Sequence, residues 1–254
     1  MPYFIYHNKK CWYEEAGSGQ PLLFLHGNTA SSRMFAETEK LYRGKFKTIL
    51  IDFLGHGRSD RLDTFQTDLW FDEAQQVIAF LDQTGYKNVN LIGSSGGAQV
   101  AINVALERPD LVNKVIADSF EGEVPLKAFV ENVIEDREAS KQDEGTKSFY
   151  IFNHGEGWEQ VVDNDTKAIH DHYIGIGKFF HKSLSELQAE ILLTGSREDE
   201  FASPQFYEEV YQGLLKKIGH GKIKLFEKGG HPALLSNGQE FYETACSFFE
   251  KESV

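Results

Sequence analysis

The feature that most constrains this chain is an alternation repeated along nearly its whole length: a short apolar run, a glycine-bearing turn, then a stretch with apolar residues at helical spacing. The apolar runs occupy 21–27, 46–55, 88–94, 111–119, 189–196 and 222–230. They are brief, rich in Val, Ile, Leu and Phe, and lack the in-out alternation of a strand with one wet face. They therefore read as strands covered on both sides. Segments 31–43, 66–84, 97–107, 203–217 and 233–251 carry the helical spacing; in 66–84, Leu69, Ala74, Val77, Phe80 and Leu81 fall broadly on one side. Strand alternating with helix predicts an α/β fold, a mostly parallel sheet flanked by helices. Residues 3–7 and 11–15, with a turn at 8–10, read as an opening hairpin that adds an antiparallel edge.

One stretch breaks the rhythm. Between 120 and 183 no strand is legible, but LKAFVENVIEDREASK and WEQVVDNDTKAIHDHY read as helices with outer faces rich in Asp and Glu. So short an insertion lacks residues for a sizeable core of its own. It is expected to be a helical lid (120–183) on a core domain made of 1–119 and 184–254.

At 254 residues the chain buries roughly 70–75% of its unfolded surface, enough to fold without a disulfide or a metal. Cys11 and Cys246 have no metal-ligand spacing and suit a reducing compartment. No basic segment followed by an apolar core opens the sequence, and no run approaches the roughly 18 apolar residues of a membrane span. A cytoplasmic protein with no membrane partner is the expectation. A formal net charge of −13 opposes non-specific nucleic-acid binding.

Chemistry enters at Gly93-Ser94-Ser95-Gly96-Gly97, which satisfies G-x-S-x-G with Ser95 at the centre. The pattern answers a steric demand: in a strand-to-helix turn this tight, side chains two residues either side of the serine would collide. Ser94 does not fit, because Ile92 lies two residues before it. The turn follows an apolar run and opens the helical stretch at Ala98, as that geometry requires. A serine hydroxyl needs a base, and His231 in EKGGHPALL follows the last apolar run, with Pro232 placed to start a helix. The base needs an acid to fix its tautomer. LLTGSREDEFASP offers Glu198, Asp199 and Glu200; Asp199 leads because its short side chain loses less rotamer entropy when positioned. After the run at 21–27, His26-Gly27-Asn28 leaves the Asn28 N–H free to join that of Gly96 as donors to an oxyanion. The same loop can also cap a helix beginning near Ser32.

Together HGN, DFLGHGRSD (52–60), GSSGGA, the acid-bearing loop and GGH, in the chain order Ser, acid, His, resemble the α/β-hydrolase fold superfamily. The resemblance implies an eight-stranded sheet, a helical cap after strand six, a Ser95–His231–Asp199 triad, and an oxyanion hole from the backbone N–H groups of Asn28 and Gly96. It makes DFLGHGRSD a structural turn, so His56 is not catalytic. In that family the acid commonly lies three residues after the strand-seven glycine, which from Gly195 is Glu198, the second choice; the following EF pattern favours Asp199. Asn after HG also resembles haloalkane dehalogenases, but these use an Asp nucleophile, and Ser95 argues against that chemistry.

The expected activity is that of a serine hydrolase cleaving a carboxylic ester or similar small acyl substrate through an acyl-enzyme, without cofactor, as a monomer or homodimer. Hydrolysis of a C–C bond in a diketone-type substrate, perhydrolysis, or a small-molecule receptor retaining the triad are the alternatives. His170-Asp171-His172 invites a metal reading, but helical positions i and i+2 diverge and no third ligand is evident, so a solvated lid face is expected. The aromatics Phe149, Tyr150, Phe152, Trp158, Tyr173, Phe179 and Phe180 read as packing between lid and sheet, with Phe120 and Trp158 as candidates to line a substrate pocket.

Overall fold

The computed structural model describes residues 2–250. Its eight strands are β1 (Tyr3–Tyr6), β2 (Lys9–Gly17), β3 (Gln20–Leu25), β4 (Phe46–Ile51), β5 (Val89–Ser94), β6 (Val112–Asp118), β7 (Glu190–Ser196) and β8 (Lys222–Phe226). They form one sheet in the order β1-β2-β4-β3-β5-β6-β7-β8. Pairings β1–β2 and β2–β4 are antiparallel and the rest parallel. The opening hairpin turns at His7–Asn8, both at positive φ (47° and 61°), so the expected turn at 8–10 shifts back by one residue. A two-residue turn with both centres left-handed matches the twist of the strands it joins.

The continuous apolar runs follow from coverage of both faces. Leu23, Leu25, Ile49, Ile51 and Leu91 pack on one side with Val77, Phe80, Val100, Val104, Tyr211 and Leu214. Their alternating neighbours Leu22, Phe24, Leu50 and Ile92 pack on the other with Phe241, Ala245 and Phe249. The first set rests on α1 (Leu69–Thr84), α2 (Gly96–Glu107) and, after the insertion, α7 (Phe206–Ile218). The second rests on the C-terminal helices α8 (Ala233–Ser236) and α9 (Gly238–Glu250). Expected as one helix, 233–251 is broken at Asn237, whose Nδ2 donates to Ser196 Oγ at 3.1 Å and to the Lys228 carbonyl at 3.0 Å. The expected helix at 31–43 is instead two short 3₁₀ turns, Ser32–Phe35 and Glu39–Leu41, with Phe35 and Tyr42 buried as anchors.

Between β6 and β7 the chain forms four α-helices, a 3₁₀ turn at Leu184–Glu186 and no strand of the sheet: α3 (Lys127–Val130), α4 (Val133–Ser140), α5 (Glu144–His154) and α6 (Trp158–Gly175). The acidic outer face expected of α6 is present at Glu159 and Asp163, both exposed, but Asp165 of the same run is buried with Asn164, Thr166 and His172, because this side of α6 lies on the loops at the strand ends. Parallel strands end on one edge, so the segments after β3, β5, β6, β7 and β8 converge there.

Candidate active site

Ser95 stands between the last residue of β5 and the first of α2, with φ 54° and ψ −123°. A non-glycine residue at positive φ is costly and persists only where its surroundings force it. Gly93 and Gly97 show why the positions two residues either side of Ser95 cannot carry a side chain. A Cβ on Gly93 would lie 2.5 Å from the Gly97 carbonyl carbon and closer still to its oxygen. One on Gly97 would lie 2.7 Å from the His26 oxygen. The Ser95 N–H is anchored on the Asp118 carbonyl at 2.8 Å, and Ser94 is fully buried while Ser95 is half-buried.

His231 follows β8, its side chain 19% exposed, and its Nδ1 lies 2.8 Å from Asp199 Oδ2. A carboxylate only accepts, so Nδ1–H donates and Nε2 keeps its lone pair. Asp199 is buried and also accepts from Tyr207 Oη at 2.7 Å and the Phe201 N–H at 2.9 Å. Burial by itself would raise its pKa; hydrogen bonds from His231, Tyr207 and Phe201 overcome that and hold it below the usual carboxylate value. The adjacent acids turn elsewhere. Glu198 accepts from the Gly229 N–H at 3.4 Å, and Glu200 accepts from the backbone N–H of His231 at 2.9 Å. Among the described residues no hydrogen bond links Ser95 Oγ to His231. Such bonds are often long in the absence of substrate.

The loop after β3 presses on the elbow: a Cβ on Gly27 would lie 3.0 Å from Ser95 Cβ. Asn28 Oδ1 accepts from Trp70 Nε1 at 3.2 Å and occupies the space over Gly96 that a side chain there would need. Among the described residues, neither the Asn28 nor the Gly96 backbone N–H has an acceptor. Ser31 caps the following turn through the Arg33 N–H at 3.3 Å, so the loop serves both ends.

Several polar residues with no motif of their own organise this edge. Asp118 is buried at the end of β6; it accepts from Thr194 Oγ1 at 2.8 Å and from the Leu234 N–H at 3.0 Å. Its neighbour Ser119 takes the Ala233 N–H at 2.9 Å, so the turn after His231 is held twice. Burial pushes the Asp118 pKa up to about 6, against the pull of its hydrogen bonds and of His231. The only trace of this in the sequence is a polar pair closing an apolar run.

The pocket candidates are used in packing. Phe120 is buried with its ring 5.3 Å from that of Tyr211, and Trp158 stacks on Tyr150 at 5.7 Å in a small cluster with Val162 inside the insertion. The expectation of a solvated His170-Asp171-His172 face is corrected at His172. Its ring is buried edge-on to Trp70 and stacked on Phe179, with its nitrogens 3.2 and 3.1 Å from the Thr67 and Lys178 carbonyls. His56 is buried with Nε2 3.2 Å from Asp165 Oδ2. Both cysteines are free and buried. Among the described residues no cluster of three or more His, Cys, Asp or Glu is arranged to hold a metal, and no helix is long and apolar enough to cross a membrane.

A family model described as alpha/beta hydrolase fold matches residues 20–175. A 2-(acetamidomethylene)succinate hydrolase of Mesorhizobium japonicum is 34% identical over 107 residues, 42% of this chain and 37% of that protein. A haloalkane dehalogenase of Agrobacterium fabrum is 33% identical over 101 residues, 40% of this chain and 33% of that protein. The matches thus span about a third of these relatives' lengths. An esterase from Exiguobacterium antarcticum has the same fold, with a TM-score of 0.74 over 96% of each chain at 20% identity.

Proposed function

Because the chain belongs to the alpha/beta hydrolase fold family, we propose that it is a serine hydrolase of a carboxylic ester or similar small acyl compound. The observation that carries this reading is the 2.8 Å contact of His231 Nδ1 with buried Asp199, which leaves Nε2 as the base for Ser95. His231 Nε2 takes the Ser95 hydroxyl proton as Oγ bonds to the carbonyl carbon. The carbonyl oxygen becomes an oxyanion held by the Asn28 and Gly96 N–H groups. Collapse expels the alcohol, which receives the proton from Nε2. Water then gives a proton to His231, attacks the acyl carbon, and releases the acid as the proton returns to Ser95 Oγ. A serine in place of the carboxylate nucleophile that dehalogenation by this fold needs supports acyl transfer.

Substituting Ser95→Ala and measuring turnover of short-chain p-nitrophenyl esters tests the reading. A fall of at least about 10³-fold in kcat is expected. Undiminished turnover in the variant would refute it.

A further inference from the structure

The residue after Asn28 is bent into a conformation that its own chemistry disfavours. Thr29 has φ 55°, and a β-branched residue occupies that region only under constraint. The constraint comes from the insertion, more than a hundred residues away in sequence. Asp165 of α6 is fully buried, and its Oδ2 accepts from the Thr29 N–H at 2.9 Å and from Asn28 Nδ2 at 3.4 Å. On the other side of the same residue, His154 at the end of α5 bonds the Thr29 carbonyl through Nε2 at 3.0 Å. The Gly57 N–H donates to His154 Nδ1 at 3.2 Å, which requires the proton to sit on Nε2. Burial, with His56 nearby, pushes the His154 pKa down to about 3, so the ring stays neutral. Two residues on, the Ser31 N–H donates to Asn153 Oδ1 at 2.8 Å. Both backbone polar groups of the strained residue are therefore gripped, one by each of two helices of the insertion.

We propose that Asp165 and His154 are positioning residues that hold Thr29 left-handed and so aim the Asn28 N–H at the oxyanion beside Ser95. The inference rests on the serine-hydrolase reading above. It assigns the insertion a second task besides covering the sheet edge: it completes the oxyanion hole. Backbone strain persists where the surroundings over-determine it, and here α5 and α6 hold the backbone of Thr29, while its Oγ1 donates to the Asn28 carbonyl at 2.7 Å and accepts from Arg137 of α4 at 3.4 Å.

A double-mutant cycle in the full chain separates this from simple anchoring. With p-nitrophenyl acetate, Asp165→Ala is expected to lower kcat about 100-fold, the scale of a misplaced or lost oxyanion donor, with KM within about threefold. Asp165→Asn keeps an oxygen for the Thr29 N–H and is expected to stay within about tenfold of the parent. Thr29→Gly supplies a residue that takes positive φ without a clamp. In that background Asp165→Ala is expected to cost about tenfold or less. A loss of at least about tenfold that shrinks in the glycine background supports the proposal; a smaller loss, or equal losses in both backgrounds, overturns it. If Asp165→Ala does not fold, His154→Phe, which keeps a ring and removes the donor, carries the same cycle. Ester turnover that depends on Ser95 but not on this cycle overturns the clamp alone, whereas turnover indifferent to Ser95 overturns the functional reading and the clamp with it.

Discussion

Gly93→Ala isolates the steric basis of the elbow. The added methyl would lie 2.5 Å from the Gly97 carbonyl carbon and 2.8 Å from Ala98 Cα, whereas ordinary Cβ contacts begin at 3.4 Å. Relieving the carbonyl-carbon contact alone requires a displacement of 3.4 − 2.5 = 0.9 Å, and the Gly97 oxygen, closer still, requires more. Both opposing atoms are backbone in the first turn of α2, so no side chain can swing aside. Overpacking ordinarily costs about 1–3 kcal/mol, and an immovable backbone puts this case near about 3. In a chain of this size that is a fall of roughly 6–12 °C in Tm. Because the displaced segment carries Ser95, a shift of nearly one ångström is also expected to lower kcat about 100-fold. Thermal unfolding and ester turnover read the two effects. Gly213→Ala is the contrast: nothing lies within 4 Å of its missing Cβ, on an exposed face of α7, so it is expected to gain about 0.5–1 kcal/mol. A Gly93→Ala protein within about 2 °C of the parent, with kcat unchanged, would refute the steric argument.

Two further outcomes concern the buried carboxylates. Tyr207→Phe removes the 2.7 Å bond to Asp199, one of the contacts that lower its pKa. A lowered carboxylate stabilises the fold above its unfolded pKa of about 3.9, so the variant is expected to lose about 1.5–3 kcal/mol at neutral pH. Denaturant titrations at several pH values are expected to show that gap narrowing as pH falls below about 4; a gap independent of pH counts against the assignment. Asp118 has the opposite sign. Its pKa stands at about 6 against roughly 3.9 unfolded, so its contribution is complete below about pH 4 and lost as pH rises through about 6. That difference corresponds to roughly 3 kcal/mol, and Asp118→Asn is expected to remove this slope from the stability profile between pH 4 and 6. An unchanged profile would show that Asp118 does not titrate there.

What could be read from the chain alone was whatever is enforced within a few residues. Runs such as 21–27 and 88–94 declare strands because each side chain must find a dry neighbour on one face or the other. The elbow is legible because the clash between Gly93 and Gly97 is local and any larger residue would declare its absence. His231 was legible for a related reason: a glycine pair and a proline mark where the last strand lets go of the chain. Beyond that range the sequence was silent. Side-chain length and the EF pattern only ranked Asp199 above Glu198 and Glu200; the closing of β7 against β8 put it beside the imidazole and turned the other two toward backbone N–H groups. Asp165 sat in a run that looked like a solvated acidic face, because its partners Thr29 and His56 are 136 and 109 residues away. Short-range sterics and solvent exclusion act on neighbours along the chain, so they are written in its order. A hydrogen bond between distant polar groups exists only once the fold brings them together and removes the water that would otherwise satisfy each.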